Sequence, residues 1–96
     1  MNRRSALRDA RFACDTVHRF ALMVVQGLLV ADVEELRSLL ARGRESLRVA
    51  VTLVDALPSR TRAPTVDPLR SHLDGALFAL GYAEEEIARR AAEARQ

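Results

Sequence analysis

Apolar residues recur at alternating steps of three and four through most of this chain, and this spacing constrains its fold more than any other feature. Three such stripes cover residues 7–31, 33–57 and 66–87, and Arg90 is the one polar residue in phase with the third. The spacing places the apolar side chains on one face of an α-helix, whereas the period of two that is typical of strands occurs nowhere in the sequence. Ala and Leu, which both favour helix, dominate the apolar residues. The sequence therefore predicts an all-α protein of three long antiparallel helices, at about residues 4–30, 33–57 and 67–94.

The first helix is expected to end just before Asp32. Ala31 and Val33, the last and first members of two consecutive stripes, are only two residues apart. On a continuous helix this step would turn the apolar face by roughly 200°. A turn explains the step, with Asp32 as the N-cap of the second helix and Glu35 as its capping-box partner. A single bent helix through this point is the alternative interpretation.

A polar linker is predicted at residues 58–66, where Pro58 and Pro64 accompany Ser, Thr and Arg residues. Asp67 followed by Pro68 is typical of the N-cap and the first position of a third helix. At Gly81 two interpretations stay open, since the third helix either continues towards the C-terminus or breaks there into two. A chain of 96 residues is expected to form one helical domain over residues 1–96.

Composition excludes several classes of function. All 15 basic residues are arginine, so reactions that need a lysine, such as Schiff-base formation or P-loop phosphoryl transfer, are excluded. The net charge of +2 does not predict nucleic-acid binding. The single cysteine cannot form an internal disulfide, which favours a reducing cytoplasm. The apolar run at residues 20–31 is shorter than the ~20 residues that span a bilayer, so no membrane segment is predicted.

Cys14 and His18 are the two residues whose spacing best suits metal binding. They lie four residues apart, a spacing that metal ligands use on a helix, and two copies across a dimer would supply a Cys₂His₂ set. Cys14 also belongs to the first apolar stripe, so the preferred interpretation is a buried core thiol. We predict no catalytic residue and no cofactor or metal site, and the chain is expected not to be an enzyme.

Charged residues cluster in two places, and both clusters are interpreted as solvated helix faces. Glu84, Glu85 and Glu86 point in different directions on a helix, and ion pairs are expected from Glu85 to Arg89 and from Glu86 to Arg90. A second cluster is basic but is interspersed with glutamates, which argues against a nucleic-acid interface. Its members are Arg37, Arg42, Arg44 and Arg48.

The first helix carries more apolar surface than one packing seam requires. Beside its inner stripe lies a second apolar stripe at steps of three and four, formed by Leu22, Val25 and Leu29. Met23 and Val30 widen this second stripe. Soluble monomers rarely expose large apolar patches, so these residues are predicted to bind a protein partner. A two-fold dimer with a second copy of the chain is the simplest assembly of this kind.

Two segments resemble known families. Residues 27–57 contain apolar residues, an Asp-containing turn and a Leu-rich helix with Arg and Glu, and they resemble the helical hairpin of flagellar and type III export chaperones. That resemblance implies a cytoplasmic chaperone that covers an aggregation-prone helix of an export substrate. Leu80, Gly81 and Tyr82, within residues 76–94, resemble the turn of the ubiquitin-associated-type domain of the Holliday-junction protein RuvA, although the chain ends before a third helix of that domain.

The function expected from the sequence is therefore that of a small helical adaptor or chaperone-like protein, which binds a partner helix in an apolar groove. We expect it in the cytoplasm, without a cofactor and without nucleic acid or membrane as its partner. Two alternatives stay open. One is a ubiquitin-associated-like recognition module in a nucleic-acid-processing complex, and the other is a small all-helical enzyme.

Overall fold

A computed structural model describes residues 3–57 and 67–95 of the chain. Within them the protein consists of α1 (Arg3–Val30), α2 (Val33–Asp55) and α3 (Asp67–Ala94), and no strand occurs in these two ranges. The prediction of an all-α fold with three long helices is confirmed. The linker predicted at residues 58–66 lies outside the described residues, and so does the side chain of Asp67, for which a capping role is predicted.

The turn between α1 and α2 has the N-cap that the sequence predicts at Asp32. Asp32 is extended, with φ −79° and ψ 171°, and its carboxylate Oδ1 accepts a hydrogen bond of 2.8 Å from the backbone N–H of Glu35. Glu34 and Glu35 add negative charge to the first turn of α2, where the helix dipole is positive. The hairpin is confirmed, and a single bent helix is excluded.

The core consists of two clusters placed one after the other along the bundle. The first joins the N-terminal halves of α1 and α3 to the C-terminal half of α2, and alanines with Cys14 make up much of it. The second lies towards the α1–α2 turn and contains the larger side chains of Leu36, Leu80 and Ile87. This order gives an elongated bundle of 54 × 18 × 17 Å.

Two glycines let the helices approach closely in the second cluster. A Cβ atom added at Gly43 of α2 would lie 3.0 Å from Leu80 Cδ2, and one added at Gly27 of α1 would lie 3.0 Å from Leu36 Cδ2. Leu36 and Leu80 are fully buried. The two leucines therefore occupy space that a larger residue at the glycine positions would fill.

Helix α3 runs without interruption through Gly81. This settles the choice between a continuous helix and a break, and Leu80, Gly81 and Tyr82 are three consecutive helical residues rather than a turn. A Cβ atom added at Gly81 would meet nothing within 4 Å.

Helix α1 is long and apolar enough, over Ser5–Val30, to cross a membrane by length and composition alone. In the bundle, 39% of its most apolar 18-residue window is buried. A core helix of a soluble bundle meets the same criterion, and the inner stripe of α1 packs in both core clusters.

Replacement of Asp32 by alanine is expected to lower the free energy of unfolding by about 1 kcal/mol, because the N–H of Glu35 loses its acceptor. Urea denaturation followed by circular dichroism measures the change. Asp32→Asn is the matched control, since asparagine caps a helix about as well as aspartate. An alanine variant with the same unfolding midpoint as the wild type would contradict the capping role.

Replacement of Gly81 by alanine is expected to raise the free energy of unfolding by roughly 0.5–1 kcal/mol, since the site is helical and has room for a methyl group. Thermal unfolding measures the gain. The comparison is Gly43→Val, in which the added atoms overlap Leu80, and which should be destabilised by roughly 1–3 kcal/mol. Loss of stability in the Gly81 variant would indicate a turn at that position.

Candidate partner-binding surface

All four aromatic side chains of the protein lie outside its buried core. Phe12 is 71% exposed and Phe78 is 78% exposed, Tyr82 is exposed as well, and Phe20 is half-buried. The core is filled instead by Ala, Val, Leu and Ile side chains with Cys14. Aromatic residues are enriched where proteins bind one another, because they offer a large apolar area at a small cost in side-chain entropy.

Two of the phenylalanines line an open groove between α1 and α2, of about 740 Å³, which we call the α1/α2 groove. Phe12 and Phe20 come from α1, while Val49 and Leu53 come from α2. Its other lining residues are Asp9, Ala13, Thr16, Ala41, Arg42, Glu45 and Ser46. The groove combines an apolar interior with charged groups at its sides, as ligand-binding clefts do.

The same face continues into a second depression of about 300 Å³ nearer the α1–α2 turn. Met23, Gly27 and Val30 of α1 and Leu39 of α2 line it. Together the two depressions follow α1 from Asp9 to Ala31, which is about 33 Å at the helical rise of 1.5 Å per residue. The two depressions of the α1/α2 face are therefore together about as long as a helix of twenty residues.

Charged side chains flank the α1/α2 groove on both sides. Asp9 stands on the α1 side, and Arg42 and Glu45 stand on the α2 side. Arg48 binds Glu45 through two hydrogen bonds of 3.1 and 2.5 Å, which lower the pKa of the Glu45 carboxyl below its usual value. The Glu45 carboxylate is therefore paired with Arg48 at the edge of the groove.

The structure divides the predicted partner surface between two faces. Met23 and Val30 belong to the α1/α2 face, whereas Leu22 and Val25 line a groove between α1 and α3. Leu29, which is 87% exposed, lies outside the lining of both. All five residues are exposed; Leu22, Val25 and Leu29 follow the three- and four-residue spacing of one stripe, while Met23 and Val30 lie to one side of it.

The groove between α1 and α3, which we call the α1/α3 groove, has a volume of about 550 Å³. Small residues, Gly75 and Ala79, form its α3 side opposite Leu22 and Val25. His18 and His72 also line it, and their ring centroids are 5.6 Å apart in an edge-to-face arrangement. A second depression of about 400 Å³ adjoins the same histidine pair.

Several residues that line these grooves are not predicted as binding residues by the sequence. Phe12 and Phe20 lie on α1 but are out of phase with its inner apolar stripe, and this is the one feature of the sequence that indicates their exposure. His72 contacts His18 from a position 54 residues away in the chain, and no local pattern reports such a contact.

The acidic cluster of α3 is ion-paired, with one partner different from that expected. Arg90 Nε binds Glu86 at 3.1 Å, as predicted. Arg89 binds Glu86 and Glu93 instead of Glu85. Hydrogen bonds from Arg89, together with Arg90, lower the pKa of the Glu86 carboxyl.

A hydrogen bond to α1 explains why a polar residue, Arg90, occupies a position in the third apolar stripe. Its guanidinium donates a hydrogen bond of 2.5 Å to the backbone carbonyl of Leu28, near the C-terminal end of α1. A cation is favourable there because the helix dipole is negative at that end. The one polar residue of the stripe thus binds α3 to α1.

The arginines of α2 are mostly engaged with carboxylates. Arg37 pairs with Glu34, Arg48 pairs with Glu45, and Arg44 forms an ion pair with Glu84 of α3. The strip of arginines predicted as a solvated face is therefore largely neutralised.

Cys14 is buried in the alanine-rich cluster, and its burial raises the pKa of the thiol. Over residues 3–57 and 67–95, no group of three or more His, Cys, Asp and Glu side chains is placed to hold a metal ion. The interpretation of Cys14 as a core residue agrees with this placement.

Comparisons with known proteins identify no related protein. No protein-family model matches the chain, and neither a curated protein nor a solved structure matches it.

Cys14 is expected to react with a thiol reagent at least about tenfold more slowly in the native protein than in denaturant, because the reactive thiolate is both buried and disfavoured. Stopped-flow absorbance with an aromatic disulfide at pH 8 measures both rates. A native rate equal to that of the denatured protein would show that the thiol is accessible.

Proposed function

We propose that this chain is a small non-enzymatic adaptor or chaperone-like protein that holds a helix of a partner protein in the α1/α2 groove, in the cytoplasm. The observation that carries the proposal is the placement of Phe12, Phe20 and Val49 along an open apolar groove while smaller residues fill the core. Burial of these side chains by a partner would supply the free energy of association.

A helix is the ligand that suits this groove best. The groove lies between two antiparallel helices, and a third helix packs into such a space by ridges-into-grooves contacts. Its length of about 33 Å accommodates five to six helical turns. A partner helix would use apolar anchors at positions i, i+3 or i+4, and i+7, one against Phe12 and Phe20 and another against Met23 and Val30.

The flanking charges define the polar residues of that helix. Asp9 favours a basic side chain on the edge of the partner that faces α1. Arg42 favours an acidic side chain on the opposite edge, next to α2. Complementary charges of this kind fix the orientation of a bound helix more than they add to its affinity.

The resemblance to export chaperones is consistent with this proposal, because those proteins cover an aggregation-prone helix of another protein. The ion-paired arginines of α2 support a protein partner over nucleic acid, since phosphate binding requires free cationic groups. A second copy of the chain is the simplest source of the partner helix.

Crosslinking tests the proposal directly. A photoreactive phenylalanine analogue at position 12 should capture a helical segment of a partner, or of a second copy, in cells that express the protein. A synthetic peptide of the captured segment should then bind the purified protein and gain helical circular dichroism on binding.

Phe12→Asp and Phe78→Asp provide the matched pair, since both side chains are exposed to a similar degree but only Phe12 lines the groove. Phe12→Asp should weaken peptide binding by at least about tenfold, as expected for loss of a central aromatic anchor, and Phe78→Asp should leave it unchanged. Light scattering on the wild type and on Leu29→Asp shows whether a second copy is involved and whether Leu29 belongs to that interface. Equal binding by both phenylalanine variants would contradict the groove as the binding site.

A further inference from the structure

The protein has two histidines, and the fold brings them together from different helices. His18 lies on α1 and His72 lies near the start of α3, with ring centroids 5.6 Å apart and ring planes at 85°. Each ring is exposed at the surface of the α1/α3 face, between the α1/α3 groove and the neighbouring depression.

We propose that His18 and His72 together bind one divalent transition-metal ion, each through one imidazole nitrogen, and so clamp α1 to α3. This site is separate from the groove of the proposed function, because it lies on the other side of α1. Imidazole is a preferred ligand of Zn²⁺, Cu²⁺ and Ni²⁺, whereas Mg²⁺ and Ca²⁺ prefer oxygen ligands.

The spacing of the rings fits coordination to a single ion. Two imidazoles bound at 2.0–2.1 Å in a tetrahedral arrangement have their ring centroids about 5 Å apart. The observed separation of 5.6 Å is slightly larger and the rings meet edge to face, so both side chains must rotate before a nitrogen of each can reach one ion. Both side chains are exposed, and such rotations are fast and inexpensive at a protein surface.

The surroundings indicate a site with two protein ligands. Asp15, which lines the same depression, is paired with Arg19 at 3.1 Å. Cys14 lines it too, but its thiol is buried and its pKa is raised, which disfavours the thiolate that a metal requires. Water from the open depression would complete the coordination shell.

Binding of this kind depends on the folded state. The two ligands are 54 residues apart in the chain, so the unfolded protein does not hold them in one chelating geometry. A metal that binds both should therefore stabilise the native bundle and raise its Tm.

The experiment uses protein without an affinity tag, titrated separately with Zn²⁺, Ni²⁺ and Cu²⁺ and compared in thermal unfolding with and without a chelator. The variants are His18→Asn, His72→Asn and Cys14→Ala. We expect one ion per chain, a rise in Tm that the chelator reverses, and an affinity at least about tenfold higher in the wild type than in either histidine variant, because two linked ligands bind more tightly than one. Cys14→Ala should bind as the wild type does.

Three results would overturn the proposal. One is the absence of any metal-dependent rise in Tm, and another is equal affinity in the wild type and the two histidine variants. The third is loss of binding in Cys14→Ala, which would assign the site to Cys14 and His18 on one helix. Circular dichroism of each variant without metal verifies that it folds, and both histidines are exposed, so the asparagine variants should retain the bundle.

Discussion

The close approach of α2 to α3 at Gly43, where Leu80 packs against the bare backbone, is the contact on which the bundle depends. Leu36 packs in the same way against Gly27, and this contact joins α2 to α1. The two leucines are fully buried and belong to one cluster, so each glycine fixes the distance between two helices. Small residues at these crossings let the helices pack closely around leucine, valine and isoleucine side chains, without an aromatic residue in the buried core.

The parts of the fold that the sequence predicts well are those governed by local rules. The spacing of apolar residues identifies the inner face of each helix, and Asp32 marks a boundary through a hydrogen bond to a residue three positions away. Gly81 shows the limit of such rules, because a glycine between Leu and Tyr suits either a turn or a helix. Packing on both sides of it, through Leu80 and Ala83, favours the continuous helix.

The candidate surfaces were harder to predict, for a physical reason. A stripe of apolar residues shows which side of a helix faces inward, but it does not show which neighbour lies to the left and which to the right. Leu22 and Met23 are adjacent in sequence and were predicted to share a surface, yet one faces α3 and the other faces α2. The contact between His18 and His72 likewise depends on how the third helix returns along the first.

The two halves of the core differ in the size of the side chains that fill them. The half around Cys14 has five alanines among its eleven buried residues, while the half near the α1–α2 turn has four leucines, one valine and one isoleucine among its seven. Each methylene group contributes about 0.8 kcal/mol when buried, so a single leucine near the α1–α2 turn contributes more than a single alanine near Cys14. Truncation of one residue near the turn therefore removes a larger part of its cluster than truncation of one alanine around Cys14. The histidine pair lies beside the half in which burial is spread over many small side chains.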